Sequence, residues 1–429
     1  MIAKKLTIPL VILVAASVAA VGAGTQTDES ARLRKKRVDV LLPDAMAKHG
    51  IDLWAVLTRE ASRDPIAVDL AGGGVVARSA FLFARTPAGF KKTAIVASYD
   101  TTPIEESGIY DEIVAYRGEG IKPHLKKAVE AIGPKRIGIN VSRDTPVADG
   151  LTVGMRNYLE ETLGPEYAKR FVSAEGVVVS FRGRRLPEEV EILRHAALYT
   201  DKIIREALSE EVITPGKTTE NDVANHLRRR AKEFGATVPF ISVVVGPVRG
   251  HADPSDRVIQ PGGLVRIDFG INHRGYSTDI QRTAYVLKPG ETEPPAGIRR
   301  MWETSRRVTD EAIAAMRPGV TGNSIDAVAR EALTGAGYEG YPHAAGHPIG
   351  FEVHDVGPLL GPDWKERYGS TVFLKLEKDQ TFAVEPILYA EYEGESTSIG
   401  LEEDVVITED GAERLHPRLD KLLLVRTTR

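Results

Sequence analysis

Two short segments constrain the fold of this chain more than any other feature. Pro215-Gly216-Lys217-Thr218 and Pro318-Gly319-Val320-Thr321 share Pro-Gly and a threonine at the same offset, and each lies between two stretches of helical periodicity. The helix start Asp222-Val223-Ala224 follows the first, Asp326-Ala327-Val328-Ala329 follows the second, and strand-like hairpins follow both. A helix–helix–sheet unit present twice predicts a two-fold pseudo-symmetric α+β domain. The cleft between such halves is a natural place for a site.

Upstream, residues 31–180 predict a different domain. Val38, Leu41, Leu42 and Met46 recur at helical spacing between Ala31 and Lys48. Leu53–Leu57, Phe81–Phe83, Thr93–Val96 and Arg136–Ile139 have the character of short buried strands. The result is a mixed α/β domain with no chemical constellation in it. The polar run Phe181-Arg182-Gly183-Arg184-Arg185-Leu186-Pro187 leads into a Pro-Glu-Glu helix start and marks a boundary. The expected domains are therefore residues 28–180 and 183–429, and a chain of 429 residues is long enough for both.

Lys4 and Lys5 precede an apolar run from Leu6 to Ala23, which ends in small residues and then Thr25-Gln26-Thr27-Asp28. Residues 1–24 are expected to be an export signal, which places the folded chain in the periplasm or outside the cell. An uncleaved N-terminal anchor is the alternative, because the run is nearly long enough to span a bilayer. A net charge of −4 gives no reason to expect nucleic acid as a partner, and Arg228-Arg229-Arg230 is read as a solvated helix face. The absence of cysteine excludes disulfides, thiolate zinc sites and cysteine nucleophiles, so any metal must be held by His, Asp and Glu.

Residues of those types cluster in the second half. Leu264–Gly270 and Tyr276–Thr283 are expected to form a hairpin through Asn272-His273-Arg274-Gly275. With the turn centred on His273 and Arg274, Asp268 and Asp279 stand directly opposite each other. Two carboxylates so placed repel unless a cation lies between them. Three histidines, His343, His347 and His354, follow among glycines that allow close backbone approach. Glu385 closes the apolar run Thr381–Val384, and Glu402 opens the strand that continues Asp404–Thr408, with Glu403 as its rival. Four carboxylates and one imidazole suit a pair of divalent cations.

The order Asp268, Asp279, His347, Glu385, Glu402 resembles the pita-bread metallopeptidases, a superfamily that includes methionine aminopeptidase, Xaa-Pro aminopeptidase, prolidase and the metal-free creatinase. The blocks Gly262–Gly270, Ser277–Thr283 and His343–Asp355 carry the resemblance. It implies a pita-bread catalytic domain preceded by a creatinase-like N-terminal domain. Of the relatives, Xaa-Pro aminopeptidase and prolidase fit that layout, whereas methionine aminopeptidase lacks the first domain.

The resemblance also implies a set of roles. Asp268, Asp279, His347, Glu385 and Glu402 would hold two divalent metal ions, manganese first, with zinc or cobalt as alternatives. Glu385 would act as general base towards a water bridging the metals. His251 and His354 would be catalytic, binding the developing oxyanion and the substrate, and His343 would be a further substrate-binding residue. The implied reaction is hydrolysis of the N-terminal peptide bond of short peptides, Xaa-Pro foremost. Hydrolysis of a small non-peptide amide, or binding without turnover, are the alternatives. A homo-oligomer, a dimer, is the expected assembly. Two departures bear on specificity. Gly400 stands where proline-specific members usually carry arginine, and Glu385-Pro386-Ile387 replaces Glu-Pro-Gly.

Overall fold

The structure is a computed structural model that describes residues 11–247, 249–250 and 252–426, with side chains from residue 29 onward. The export signal expected at residues 1–24 therefore lies outside the described residues, apart from the backbone of a helix, Val11–Lys48, that begins within it. Among the described residues no helix is long and apolar enough to cross a membrane.

The chain divides into two compact units. One comprises residues 1–139 and 151–172, and the other residues 140–150 and 173–429. Phe181, Arg182, Arg185 and Leu186 are buried inside the second unit, so the passage between units falls earlier, after Val172. The polarity that suggested a boundary there has a different origin. Arg182 Nε and Arg185 Nη2 both clasp the buried carboxylate of Asp355, at 2.7 and 2.9 Å.

The first unit is built on a mixed sheet. Its strands are β1 (Leu53–Thr58), β2 (Ser79–Thr86), β3 (Gly89–Ala97), β4 (Glu112–Tyr116), β5 (Ile137–Ile139) and β6 (Phe171–Ser173), in the order β4-β3-β2-β1-β5-β6. Every residue of β1 is buried, the mark of a central strand covered on both faces. Val38, Leu41, Leu42 and Met46 of the helix Val11–Lys48 are each at most 3 % exposed.

The second unit shows the duplication as structure. The helices Pro187–Ala207 and Glu220–Glu233 precede β7 (Thr237–Val245), β8 (Leu264–His273), β9 (Tyr276–Ser277) and β10 (Ile280–Val286). The helices Ala296–Ala315 and Gly322–Gly335 precede β11 (Gly346–Pro348), β12 (Thr381–Val384), β13 (Leu388–Tyr392), β14 (Glu395–Ile399), β15 (Glu403–Ile407), β16 (Ala412–Arg414) and β17 (Leu423–Val425). Both Pro-Gly segments turn through a left-handed glycine, Gly216 at φ 80° and Gly319 at φ 87°. Each glycine N–H donates to a carbonyl from the strand region of its own half, Ile259 O at 2.7 Å and Leu376 O at 2.9 Å. Thr219 and Thr321 then stand at the N-cap positions of the two following helices, and the Thr219 hydroxyl accepts the Asp222 N–H. One sheet has the order β17-β10-β8-β7 with β9 beside β8, and the other β11-β12-β15-β16. The helices of the second half pack on β12, β14 and β15 through Trp302, Val308, Ile325, Phe382, Ile399 and Val405.

The hairpin register corrects one expectation. The turn is Arg274-Gly275, with φ 55° and 87°, since a two-residue hairpin turn of this hand needs positive φ at both central residues. Asn272 therefore pairs with Ser277, and Asp268 stands opposite Gln281 rather than Asp279. Asp279 lies two residues from Gln281, which keeps it on the same face in a diagonal position.

Candidate metal centre

Strand alternation sorts the residues of β8. Ile267, Phe269 and Ile271 point into apolar packing and are wholly buried. Arg266 and Asp268 leave the strand on the other face, towards a cavity of about 1100 Å³. Asp279, His347, Glu385 and Glu402 line the same cavity, as do His343 and His354. Five different segments thus bring the five expected ligands to one wall: β8, the junction of β9 and β10, β11, the end of β12 and the start of β15. His251 lies outside the described residues.

Asp279, His347 and Glu402 are buried, and each offers a ligand atom within 4.8 Å of the others. His347 Nε2 is 3.4 Å from Asp279 Oδ2 and 3.8 Å from Glu385 Oε1. The His354 ring is 4.2 Å from that of His347. Asp355, next to His354, fixes this loop through Arg182 and Arg185. Burial acts to raise the Asp355 carboxyl, and the two guanidiniums outweigh it and hold it below its usual value.

Among the described residues, no guanidinium forms such an ion pair with Asp279, Glu385 or Glu402. Burial first, and then Asp268, pushes the Asp279 carboxyl well above its ordinary range. Burial does the same to Glu402, with Asp279, Glu385 and Asp268 adding to it. Glu385 is pushed up to about 8 by burial, eased by His347 and increased by Asp279 and Asp268. Asp404, whose carboxylate accepts the Asp279 N–H, is also raised, by burial and then by Asp279. Asp279 Oδ1 and Glu402 Oε2 are buried without a hydrogen-bond partner among the described residues. Buried acceptors that face one another without donors are costly. Oxygen donors in this number with one imidazole fit hard or borderline divalent cations, which would satisfy them.

The register also separates Glu402 from Glu403. Glu403 turns to the opposite side, where Arg282 Nη1 lies at 3.4 Å, Arg414 Nε at 3.3 Å and His416 Nε2 at 3.6 Å. It belongs to a buried charge network, while Glu402 faces Asp279 and His347, with ligand atoms within 4.8 Å of one another.

Two residues of the wall went unnoticed in the sequence. Gln281 is 1 % exposed, and its Nε2 donates to Asp268 Oδ2 at 3.1 Å. A Cβ on residue 400 would lie 1.4 Å from Gln281 Oε1, so Gly400 is the space that Gln281 fills. Arg266, beside Asp268 on the strand, is buried as well. The hairpin placed both on the cavity face, but neither belongs to a recognised ligand set, so the pattern gave no reason to single them out.

The sequence pattern of Metallopeptidase family M24 matches residues 191–409. A Xaa-Pro dipeptidase of Pyrococcus furiosus is 32 % identical over 252 residues, covering 58 % of this chain and 67 % of that one. Among solved structures, a Xaa-Pro dipeptidase from Bacillus anthracis superimposes with a TM-score of 0.66 at 25 % identity, over 92 % of this chain and 99 % of the other. An X-Pro aminopeptidase from Thermotoga maritima gives 0.64 at 25 % identity, over 89 % and 100 %.

Proposed function

The chain belongs to metallopeptidase family M24, and on that premise we propose that it hydrolyses the N-terminal peptide bond of short peptides, Xaa-Pro foremost, at the cavity that holds Asp268, Asp279, His347, Glu385 and Glu402. The observation that carries this reading is the cluster of buried, raised carboxylates around His347, with acceptors left unmet. Those five side chains would hold two divalent cations, for which we propose manganese. When bound, the ions supply Lewis-acid activation of water and of the scissile carbonyl.

The chain's own residues do the rest. Glu385 is half-buried at the cavity wall, its Oε1 3.8 Å from His347 Nε2, a position that suits a base that takes a proton from water and passes it to the leaving amine. His354 is exposed to the cavity against His347 and can donate to the oxygen that gains charge as the carbonyl is attacked. His343 sits on the same wall between Tyr341 and Tyr389, ring centroids 5.1 and 6.5 Å away, and would contact the substrate. His251 is assigned to leaving-group protonation or oxyanion binding by its likeness to the family motif. The apolar wall from Val238 to Ile241 excludes water from one side of the bound peptide. We further propose export through residues 1–24, and a dimeric assembly.

The test is a metal add-back assay on the chain lacking residues 1–24. The chelated protein is mixed with Xaa-Pro and Xaa-Ala peptides and then with Mn²⁺, Co²⁺ or Zn²⁺. Release of the first residue only with metal, and not by Asp268→Ala, is expected. A protein that binds metal yet cleaves no peptide would defeat the reading.

A further inference from the structure

Residues 341–345 lead into β11 and form neither helix nor strand themselves. His343 lies at their centre, half-buried on the cavity wall. Side chains take the carbonyls of this stretch. Arg330 Nη1 donates to Tyr341 O at 2.8 Å and Nη2 to His343 O at 2.6 Å, and Arg367 Nη1 donates to Pro342 O at 2.7 Å. One guanidinium therefore grips the backbone on both sides of Pro342 and fixes the peptide unit on which His343 stands. A planar fork of donors can do this, whereas an ammonium is a point charge without that geometry.

Arg330 is itself held from several directions. Asp326, one turn earlier on the helix Gly322–Gly335, accepts Arg330 Nε at 2.6 Å. The guanidinium lies 4.1 Å over the Tyr341 ring and 5.3 Å from that of Trp364. Asp326 is 1 % exposed, and its other oxygen accepts the Tyr341 hydroxyl at 3.2 Å and the Ala345 N–H at 3.1 Å. The pair thus holds the stretch at Tyr341, His343 and Ala345. Asp326 and Arg330 stand behind the wall and do not line the cavity, so whatever they do for the reaction passes through the residues they hold. The first half of the duplication has a comparable device. Glu220, at the start of its second helix, accepts the Val245 and Ser255 N–H groups, each at 2.9 Å, with Arg249 beside it. Gly250 and Asp253, between those anchors, line the same cavity.

We propose that Arg330, locked by Asp326, is a positioning residue for the hydrolysis that acts through His343: it fixes the backbone from which that imidazole meets the bound peptide, and so sets substrate affinity. This rests on the peptidase reading and on the substrate contact assigned there to His343.

The experiment follows hydrolysis of Ala-Pro by the full-length protein loaded with Mn²⁺, in the wild type, Arg330→Lys, His343→Ala and the double variant. Arg330→Lys keeps a positive charge beside Asp326 and removes the fork. It should raise KM by about 10-fold and leave kcat within about twofold, with manganese content as in the wild type. In the His343→Ala background the same substitution should change kcat/KM by less than about twofold, because the residue it acts through is gone. A purely structural role would lower activity by the same factor in both backgrounds. Equal losses in both, or a single variant whose KM does not rise, would overturn the assignment of Arg330 and leave the peptidase standing. Should Arg330→Lys not fold, Arg330→Gln takes its place in the same cycle. A wild type that binds manganese and cleaves no peptide of the add-back panel would overturn the peptidase reading and this proposal with it.

Discussion

Gly400 and Gln281 act as one unit, and a single methyl group should show it. In Gly400→Ala the new Cβ would fall 1.4 Å from Gln281 Oε1, so the carboxamide must leave its place and release Asp268. Loss of an outer hydrogen bond to a metal-binding carboxylate costs roughly 10- to 100-fold in metal affinity or activity. Competition with a chelating dye should show that drop, and unchanged affinity would refute the coupling. Glu402 and Glu403 are adjacent in sequence and should behave oppositely. Glu402→Gln removes an acid from among acids, so metal binding weakens while the metal-free protein becomes more stable. Glu403→Gln removes a negative charge from Arg282, Arg414 and His416 and should cost about 3–5 kcal/mol in urea unfolding, with less effect on metal binding. The sequence placed Glu402 and Glu403 at a strand start but could not itself choose between them. Strand phase decides that, and phase depends on the pairing of Val384 with Glu403. Arg266 and Gln281 were invisible for a related reason. Their significance lies in what they face, and an arginine or glutamine in a strand carries no motif.

At the level of elements, the duplication was legible because Pro-Gly turns leave a mark in the sequence. The left-handed glycine recurs in both halves with an equivalent backbone bond from its N–H. The hairpin was half legible. Its strands and its shared face followed from alternation, yet the centre of the turn did not, since Asn272-His273-Arg274-Gly275 offers more than one two-residue turn. Only the positive φ of Arg274 and Gly275 sets it. The Phe181–Leu186 segment misled because charged residues suggest solvent, and here Arg182 and Arg185 are buried on Asp355. That clasp offers a further test. A Cβ at Gly350 would lie 1.7 Å from Arg185 Nη2, so Gly350→Ala should displace the guanidinium and leave Asp355 half-paired. A loss of about 3 kcal/mol or more is expected in denaturant unfolding, together with slower turnover, because the His354 loop loses its anchor. Full stability in this variant would show that the clasp contributes nothing.

For the whole molecule, the metal-free protein should respond to pH in a direction set by the cavity. Burial lifts Glu385 from its ordinary value near 4.5 to about 8 in the absence of a cation, and Asp279 and Glu402 shift the same way. A carboxyl raised on folding binds its proton more tightly in the folded state. Its contribution is complete below the unfolded pKa and is lost as pH rises through the folded one. The melting temperature of chelated protein should therefore fall between about pH 5 and pH 8. Metal should remove most of this dependence, and at one hundred times its dissociation constant each ion adds about 2.7 kcal/mol. A chelated protein whose stability rises over that range would contradict the electrostatic picture. The central claim, that five side chains from separate segments form one dinuclear centre, is tested most directly by counting metal. Folded wild-type protein dialysed against Mn²⁺ should hold two ions per chain by elemental analysis, and Asp279→Asn, equally folded, should hold fewer than one. Two ions retained by that variant, or none held by the wild type, would contradict it.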